Sequence, residues 1–185
     1  MSAGNTHWNK LLDQIEEHGW GWQVVGPDQG DDEHEPFPHY CYTVGLVSKG
    51  LPDIIIVGFD IRSSLVVGNE LIARALANNM VAQTVPTVAG FKPFDLNKEL
   101  LDVFRGTRAV LVEVPPAEAA KRNLFAHDYA AAVSKPPDLI QLVWPDRNGC
   151  FPFEEGASPG FVDAQPVLAH ISPTVLTPTD APAMR

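Results

Sequence analysis

Apolar residues first recur with a helical period: Trp8, Leu11, Leu12 and Ile15 fall at i, i+3, i+4 and i+7 and form one stripe. The spacing predicts a helix over residues 5–18, with Asn5 or Thr6 as its cap and Gly19 where it stops. The period then changes to two. In "WGWQVV", Trp20, Trp22 and Val24 alternate with Gly21, Gln23 and Val25, which predicts a strand over 20–25. A polar, acidic, proline-bounded loop follows, "GPDQGDDEHEPFP".

The next strand, 39–46, lies in "FPHYCYTVGL", and the continuous run "IIIVGF" predicts a strand over 53–59 buried on both faces of a sheet. Asp60 or Ser63 caps a helix to about Asn79, with Leu65, Ile72, Ala75 and Leu76 inward and Gly68 weakening it. "VAQTVPTVAGF" reads as an extended edge interrupted by Pro86, and Leu96–Phe104 as a short helix. "RAVLVEV" gives a buried strand over 108–114, and Pro115 and Pro116 open a helix that runs to about Val133. "DLIQLVW" is a strand over 138–144, which "PDRNG" turns back; beyond Pro159 the chain reads as loop. Strands and helices alternate without a regular βαβ beat. The expectation is therefore an α+β fold, a mostly antiparallel central sheet of about five to six strands with helices packed on it. One domain is expected over 1–170, with 171–185 as a flexible C-terminal tail.

Composition changes this picture little, since a 45% hydrophobic and 19% charged chain is ordinary for a globular protein. Charge changes it more. A net charge of −10 repels phosphate backbones, and Lys121-Arg122 is the densest basic cluster, so nucleic acid is an unexpected partner. No apolar run reaches the ~20 residues needed to span a bilayer, so no membrane partner is expected. The start "MSAGNTHWNKLLDQIEEHGW" lacks the pattern of a secretory signal, and the expected location is cytoplasmic. Cys41 and Cys150 are then free thiols, unless the fold brings their Cα atoms together.

Candidate chemistry begins on the second strand. Tyr40, Tyr42, Val44 and Leu46 share one side, which should face the core; His39, Cys41, Thr43 and Gly45 share the other. That second, smaller face can lie under a packed element, floor a ligand pocket, or carry a Cys41–His39 nucleophile. The acidic loop gathers Asp31, Asp32, Glu33, His34, Glu35 and His39, residue types that suit zinc, nickel or manganese. Pro36 and Pro38 forbid a regular helix between His34 and His39, so a solvated loop is the simpler reading and no metal is assigned. A loop site would need a further ligand such as His7, His18 or His127. Near the end, "QLVWPDRNGCFPFEEG" offers Gln141, Trp144 and Asp146 beside Phe151 and Phe153. These residues either anchor an irregular loop to the core or line a recognition cleft. No phosphate loop, nucleophile elbow or Cys-x-x-Cys pair is present, and no cofactor is assigned.

Taken in order, "FPHYCYTVGL", "LPDIIIVGF", "IQLVWPDRNGCFPF" and the later "QP" resemble the bacterial domain of unknown function family 4262. The elements that carry the likeness are Tyr42 to Leu46, Pro52-Asp53, Gln141 with Pro145-Asp146 and Gly149, and Pro152 with its aromatic neighbours. The resemblance implies a small bacterial, cytoplasmic protein and supplies no reaction. Members commonly carry a histidine just before the proline–acid pair; this chain has Leu51, so a role built on that imidazole is closed to it.

The function expected on these grounds is binding of a small molecule or a protein, without evident catalysis. Thr43 and Gln141 would supply hydrogen bonds, Trp144 apolar contact, and Asp146 charge or loop geometry. The alternative is a hydrolase that uses a loop-bound metal (His34, His39) or the Cys41–His39 face. The sequence leaves open whether the protein is an enzyme.

Overall fold

The computed structural model describes residues 3–28, 36–84, 99–104, 107–122 and 124–169. The order of elements is α1 (Ala3–His18), β1 (Gly21–Val25), β2 (Tyr40–Val44), a 3-10 turn (Leu46–Lys49), β3 (Asp53–Val57), α2 (Ile61–Thr84), β4 (Glu99–Phe104) and β5 (Thr107–Glu113), then α3 (Pro116–Arg122), α4 (Leu124–Ala132), β6 (Leu139–Val143) and α5 (Pro159–Ala164). The strands form one six-stranded sheet in the order β1-β2-β3-β6-β5-β4. Among the described residues only the central pair, β3 with β6, is parallel; the other neighbours are antiparallel. The fold is α+β, as the mixed pattern predicts.

β3 sits in the middle of the sheet, and Ile54, Ile55, Ile56 and Val57 are all buried. A strand covered on both faces has no need to alternate, which is why it reads as an unbroken apolar run. One face packs under α2, where Cys41, Ile54, Ile56, Ile140, Leu142 and Trp144 meet Leu71, Ile72 and Ala75. Gly68 permits a close approach there: a Cβ on it would lie 2.4 Å from the Trp22 ring. The other face carries Tyr42, Val44, Ile55, Val57 and Leu139 against Leu11 and Ile15 of α1, Ala119 of α3 and Ala126 of α4. Farther along that face, Val110, Val112 and Val143 pack on Phe151, with Phe153 and Val167.

Several expectations are corrected. The helix expected near Leu96–Phe104 is replaced over its second half by β4, which pairs Glu99 with Val110 and Leu100 with Ala109. Local preferences of a few tenths of a kcal/mol per residue are outweighed by a strand ladder and the burial that comes with it. α2 continues through Thr84, so the first residues of the expected extended segment are helical, and 85–91 lie outside the described residues. The helix expected to run unbroken to Val133 is two, α3 and α4. Residues 159–164, read as loop, form α5. Leu46 leaves the Tyr42 side and joins the α2 face, because Gly45 at φ 110° ends the alternation before it. The tail 171–185 and His170 lie outside the described residues.

Candidate functional site

The residues proposed from sequence separate into three places. The first is the start of β3. Thr43 Oγ1 donates to Asp53 Oδ1 at 2.9 Å and accepts from the Ile54 amide at 2.8 Å. Asp53 Oδ1 also accepts from the Leu46 amide at 3.3 Å. Thr43 is therefore engaged on both sides of its oxygen by the protein itself, and it is fully buried. Asp53 is buried too, and burial pushes its carboxyl up to about 7, against the lowering effect of its bonds from Thr43, Leu46 and Gly45.

The second place is the stitching of the C-terminal stretch to β6. Gln141 Nε2 donates to the Pro166 carbonyl at 2.9 Å, and its Oε1 accepts from the Leu168 amide at 2.8 Å. Gln165, at the end of α5, reaches back to the end of β6: its Oε1 accepts from the Trp144 amide at 3.0 Å and its Nε2 donates to the Trp144 carbonyl at 3.1 Å. Each side-chain amide thus stands in for a neighbouring strand and satisfies backbone groups that would otherwise be buried without partners. Asp146 ties the following loop: its carboxylate accepts from the amides of Asn148, Cys150 and Ser158 at 2.8, 3.0 and 3.1 Å. The Cys150 amide foremost holds that carboxyl below its usual range.

Thr43 and Gln141 do not form one site. Tyr42, Ile55 and Gln141 are successive partners across β2, β3 and β6, so their side chains share the α1/α4 face. Thr43, one residue along from Tyr42, points to the α2 face. The sheet lies between them.

The third place is the carboxyl end of the parallel pair, and here the structure does bring proposed residues together. His39, Cys41 and Trp144 converge around Phe59, which follows β3. His39 Nε2 donates to the Phe59 carbonyl at 3.0 Å, and the buried Ser64 hydroxyl of α2 approaches the same oxygen at 3.4 Å. The Phe59 and Trp144 rings lie 4.7 Å apart between centroids, with Phe161 of α5 packed on the same cluster. Asp60, exposed at the head of α2, accepts from the Ser63 amide at 3.0 Å; the Ser63 hydroxyl foremost, and then that amide, lower its carboxyl. Cys41 lies beneath. Burial pushes its thiol up to about 11, offset in part by a hydrogen bond with Ser64. A thiol held protonated, beside an imidazole whose Nε2 is turned to a carbonyl, is poorly disposed for nucleophilic attack.

Cys41 and Cys150 are both free thiols. Among the described residues, no group of three or more His, Cys, Asp or Glu could hold a metal ion. His34 lies outside them. No helix among the described residues is long and apolar enough to cross a membrane.

Sequence reasoning passed over Phe59, Ser64, Asp53 and Gln165 as site residues. Asp53 carried the one available signal, a carboxylate opening a run of buried isoleucines.

The architecture and these polar nodes define a single α+β domain with the motifs "YTVGL" and "PD" joined at one buried carboxyl. Residues 14–158 match the family described as domain of unknown function (DUF4262), and the chain belongs to that family. The family carries no assigned function. No curated protein and no solved structure matches the chain.

Proposed function

We propose that this domain is a recognition module that binds a small molecule at the carboxyl end of β3 and β6. The observation that carries this reading is the meeting of the Phe59–Trp144 ring pair, 4.7 Å apart, with the half-buried imidazole of His39. Aromatic surface beside a polar group is the usual make-up of a small-molecule contact. Strands that run parallel leave their carboxyl ends side by side, the place where open sheets commonly receive ligands. The ligand would combine a flat apolar part with a hydrogen-bonding group. Trp144, buried in the core, would back the half-buried Phe59 ring from beneath; Thr43, Gln141 and Asp146 act through the fold and not through contact with the ligand.

Binding of a protein is the second reading. It is favoured by Ile61 and Val162, 44% and 36% exposed on the two helices that frame this end. The buried, protonated thiol of Cys41 supports binding over thiol hydrolysis. The net charge of −10 argues against nucleic acid, and the two free cysteines accord with a bacterial cytoplasmic setting.

Native mass spectrometry against a mixture of metabolites, followed by amide chemical-shift mapping, tests the proposal. The expected result is a bound ligand whose shifts centre on His39, Phe59 and Trp144, and whose binding weakens in Phe59→Leu. Shifts centred on another surface would overturn it.

A further inference from the structure

Three arginines among the described residues are half-buried, and their surroundings differ. Arg74 pairs with Glu70 at 2.9 Å, and Arg108 with Glu154 at 3.1 Å. Arg122, at the end of α3, forms no ion pair with a carboxylate among the described residues. Carboxylates are not scarce in this chain, where Asp and Glu number 23 and Lys and Arg 13. The place of Arg122 is nonetheless fixed. Its guanidinium carbon lies 3.6 Å from the centre of the buried Phe37 ring, and the Tyr40 hydroxyl donates to the Arg122 carbonyl at 3.0 Å. Phe37 is itself held by paired backbone bonds with Asp28, at 2.8 and 3.0 Å.

We infer that Arg122 anchors a second binding site, one that takes the carboxylate of a small molecule. A guanidinium presents its donors on more than one edge. Here Nε is sealed from water and meets no acceptor among the described residues, while Nη1 and Nη2 are not closed off in this way. Laying the group on a ring with one edge sealed strips part of its hydration. A cation so stripped attracts an anion more strongly at the edge left open. The two Nη groups match the two oxygens of a carboxylate, which makes a fork of this kind a ready partner for that group.

The neighbouring charges favour a carboxylate over a phosphate. Burial foremost raises the Tyr40 hydroxyl, and then Arg122 pulls it down while Asp28 pushes it up, so both charges stand near that ring. Any anion held by Arg122 therefore also meets the field of Asp28. A carboxylate brings a single negative charge into that field; phosphate brings more, and the repulsion grows with it. Lys121, the adjacent basic residue, is paired with Glu118 at 2.7 Å. The site lies at the same end of the sheet as the Phe59–Trp144 ring pair, since Tyr40 is the partner of Val57, but on the α1/α4 face. It is separate from the binding surface proposed above and does not rest on it.

The test is an NMR titration of the whole chain with acetate and with benzoate, beside chloride at matched ionic strength and inorganic phosphate. The signals to follow are the Arg122 Nε–H and the backbone amides of Phe37 and Tyr40. The site predicts saturable shifts of all three with a carboxylate and none with chloride. Arg122→Lys keeps the charge and loses the planar fork, so it should weaken binding roughly tenfold. Arg122→Gln should abolish it. Absence of saturable binding, shifts that chloride reproduces, phosphate binding more tightly than the carboxylates, or binding that survives in Arg122→Gln would each overturn the proposal. So would binding seen only after Asp31, Asp32, Glu33 and Glu35 are replaced by their amides, since the guanidinium would then have its partner in the chain itself. If Arg122→Gln does not fold, the weakening in Arg122→Lys decides the matter.

Discussion

β3 is only five residues long, yet its two ends are built on opposite terms. At the amino end, Asp53, Thr43 and the turn amides close on one another, and every polar atom named there is matched inside the protein. At the carboxyl end, Phe59 and His39 are left half-buried around a ring pair, and the His39 imidazole is joined to the Phe59 carbonyl. The difference teaches which polar residues belong to the fold. A buried group with its partners supplied from within is part of the architecture, however much it looks like a ligand contact in sequence; a half-buried group with one partner has capacity to meet something else.

The largest effect should come from pH, and it belongs to the amino end. Asp53 keeps its proton to about 7 in the folded protein and ordinarily loses it at 3.8. Between those values the folded state binds more protons than the unfolded state, so stability is full below the window and falls as pH rises through it. The span corresponds to at most about 4 kcal/mol, at about 1.4 kcal/mol per pH unit. Urea unfolding at a series of pH values measures the slope, and Asp53→Asn should flatten it. Asp60 and Asp146, held below the usual range, oppose this trend only at lower pH. A stability that rises with pH from 4 to 7 would show that the amino end is not the sealed site described above.

Gly58 bears on the carboxyl end, with an expected cost of about 3 kcal/mol for Gly58→Ala. A Cβ there would lie 1.7 Å from the Ala164 carbonyl oxygen, and φ is +73°. The backbone of α5 must move for any side chain to fit, so the variant should also loosen Phe161 from the Phe59–Trp144 pair. Chemical denaturation reads the first effect; the near-ultraviolet signal of the tryptophans reads the second. A cost below about 1 kcal/mol would mean that α5 is not seated on this end of the sheet.

Next in size is Thr43→Val, at about 2 kcal/mol, because it leaves the Ile54 amide buried without its acceptor. It also removes a bond that lowers the Asp53 carboxyl, so the pH window should move upward. A window that stays in place would uncouple Thr43 from Asp53.

The sequence was most informative where one physical effect dominated. The stripe through Trp8, Leu11 and Ile15 reads as α1, and "IIIV" reads as a strand covered twice, because burial alone decides both. β4 was not legible, since residues 99–104 favour a helix locally and become a strand only by pairing with β5. Nor was the separation of Thr43 from Gln141. Alternation assigns faces within one strand, but relating two strands needs the register across the strand between them, and that register is set by packing. The site residues Phe59 and Ser64 were hidden for a related reason: they meet His39 and Cys41 only because β2 lies beside β3 under the first turn of α2. Gln165 was hidden because its two bonds to Trp144 cross 21 residues of chain.

The smallest expected effect separates the two ends most sharply. His39 is half-buried and, among the described residues, makes one hydrogen bond, to the Phe59 carbonyl, which the Ser64 hydroxyl also approaches. Its removal in His39→Ala therefore strands no buried donor and leaves that carbonyl a second neighbour. The cost should be about 1 kcal/mol or less, within the ordinary worth of a single hydrogen bond. Binding at the carboxyl end should nevertheless fall, since the imidazole is the polar part of the proposed contact surface. Equilibrium unfolding and titration of a ligand found by mass spectrometry separate the two readouts. Should His39→Ala instead cost as much as Thr43→Val, the imidazole would belong to the architecture as Thr43 does, and the carboxyl end would be as closed as the amino end.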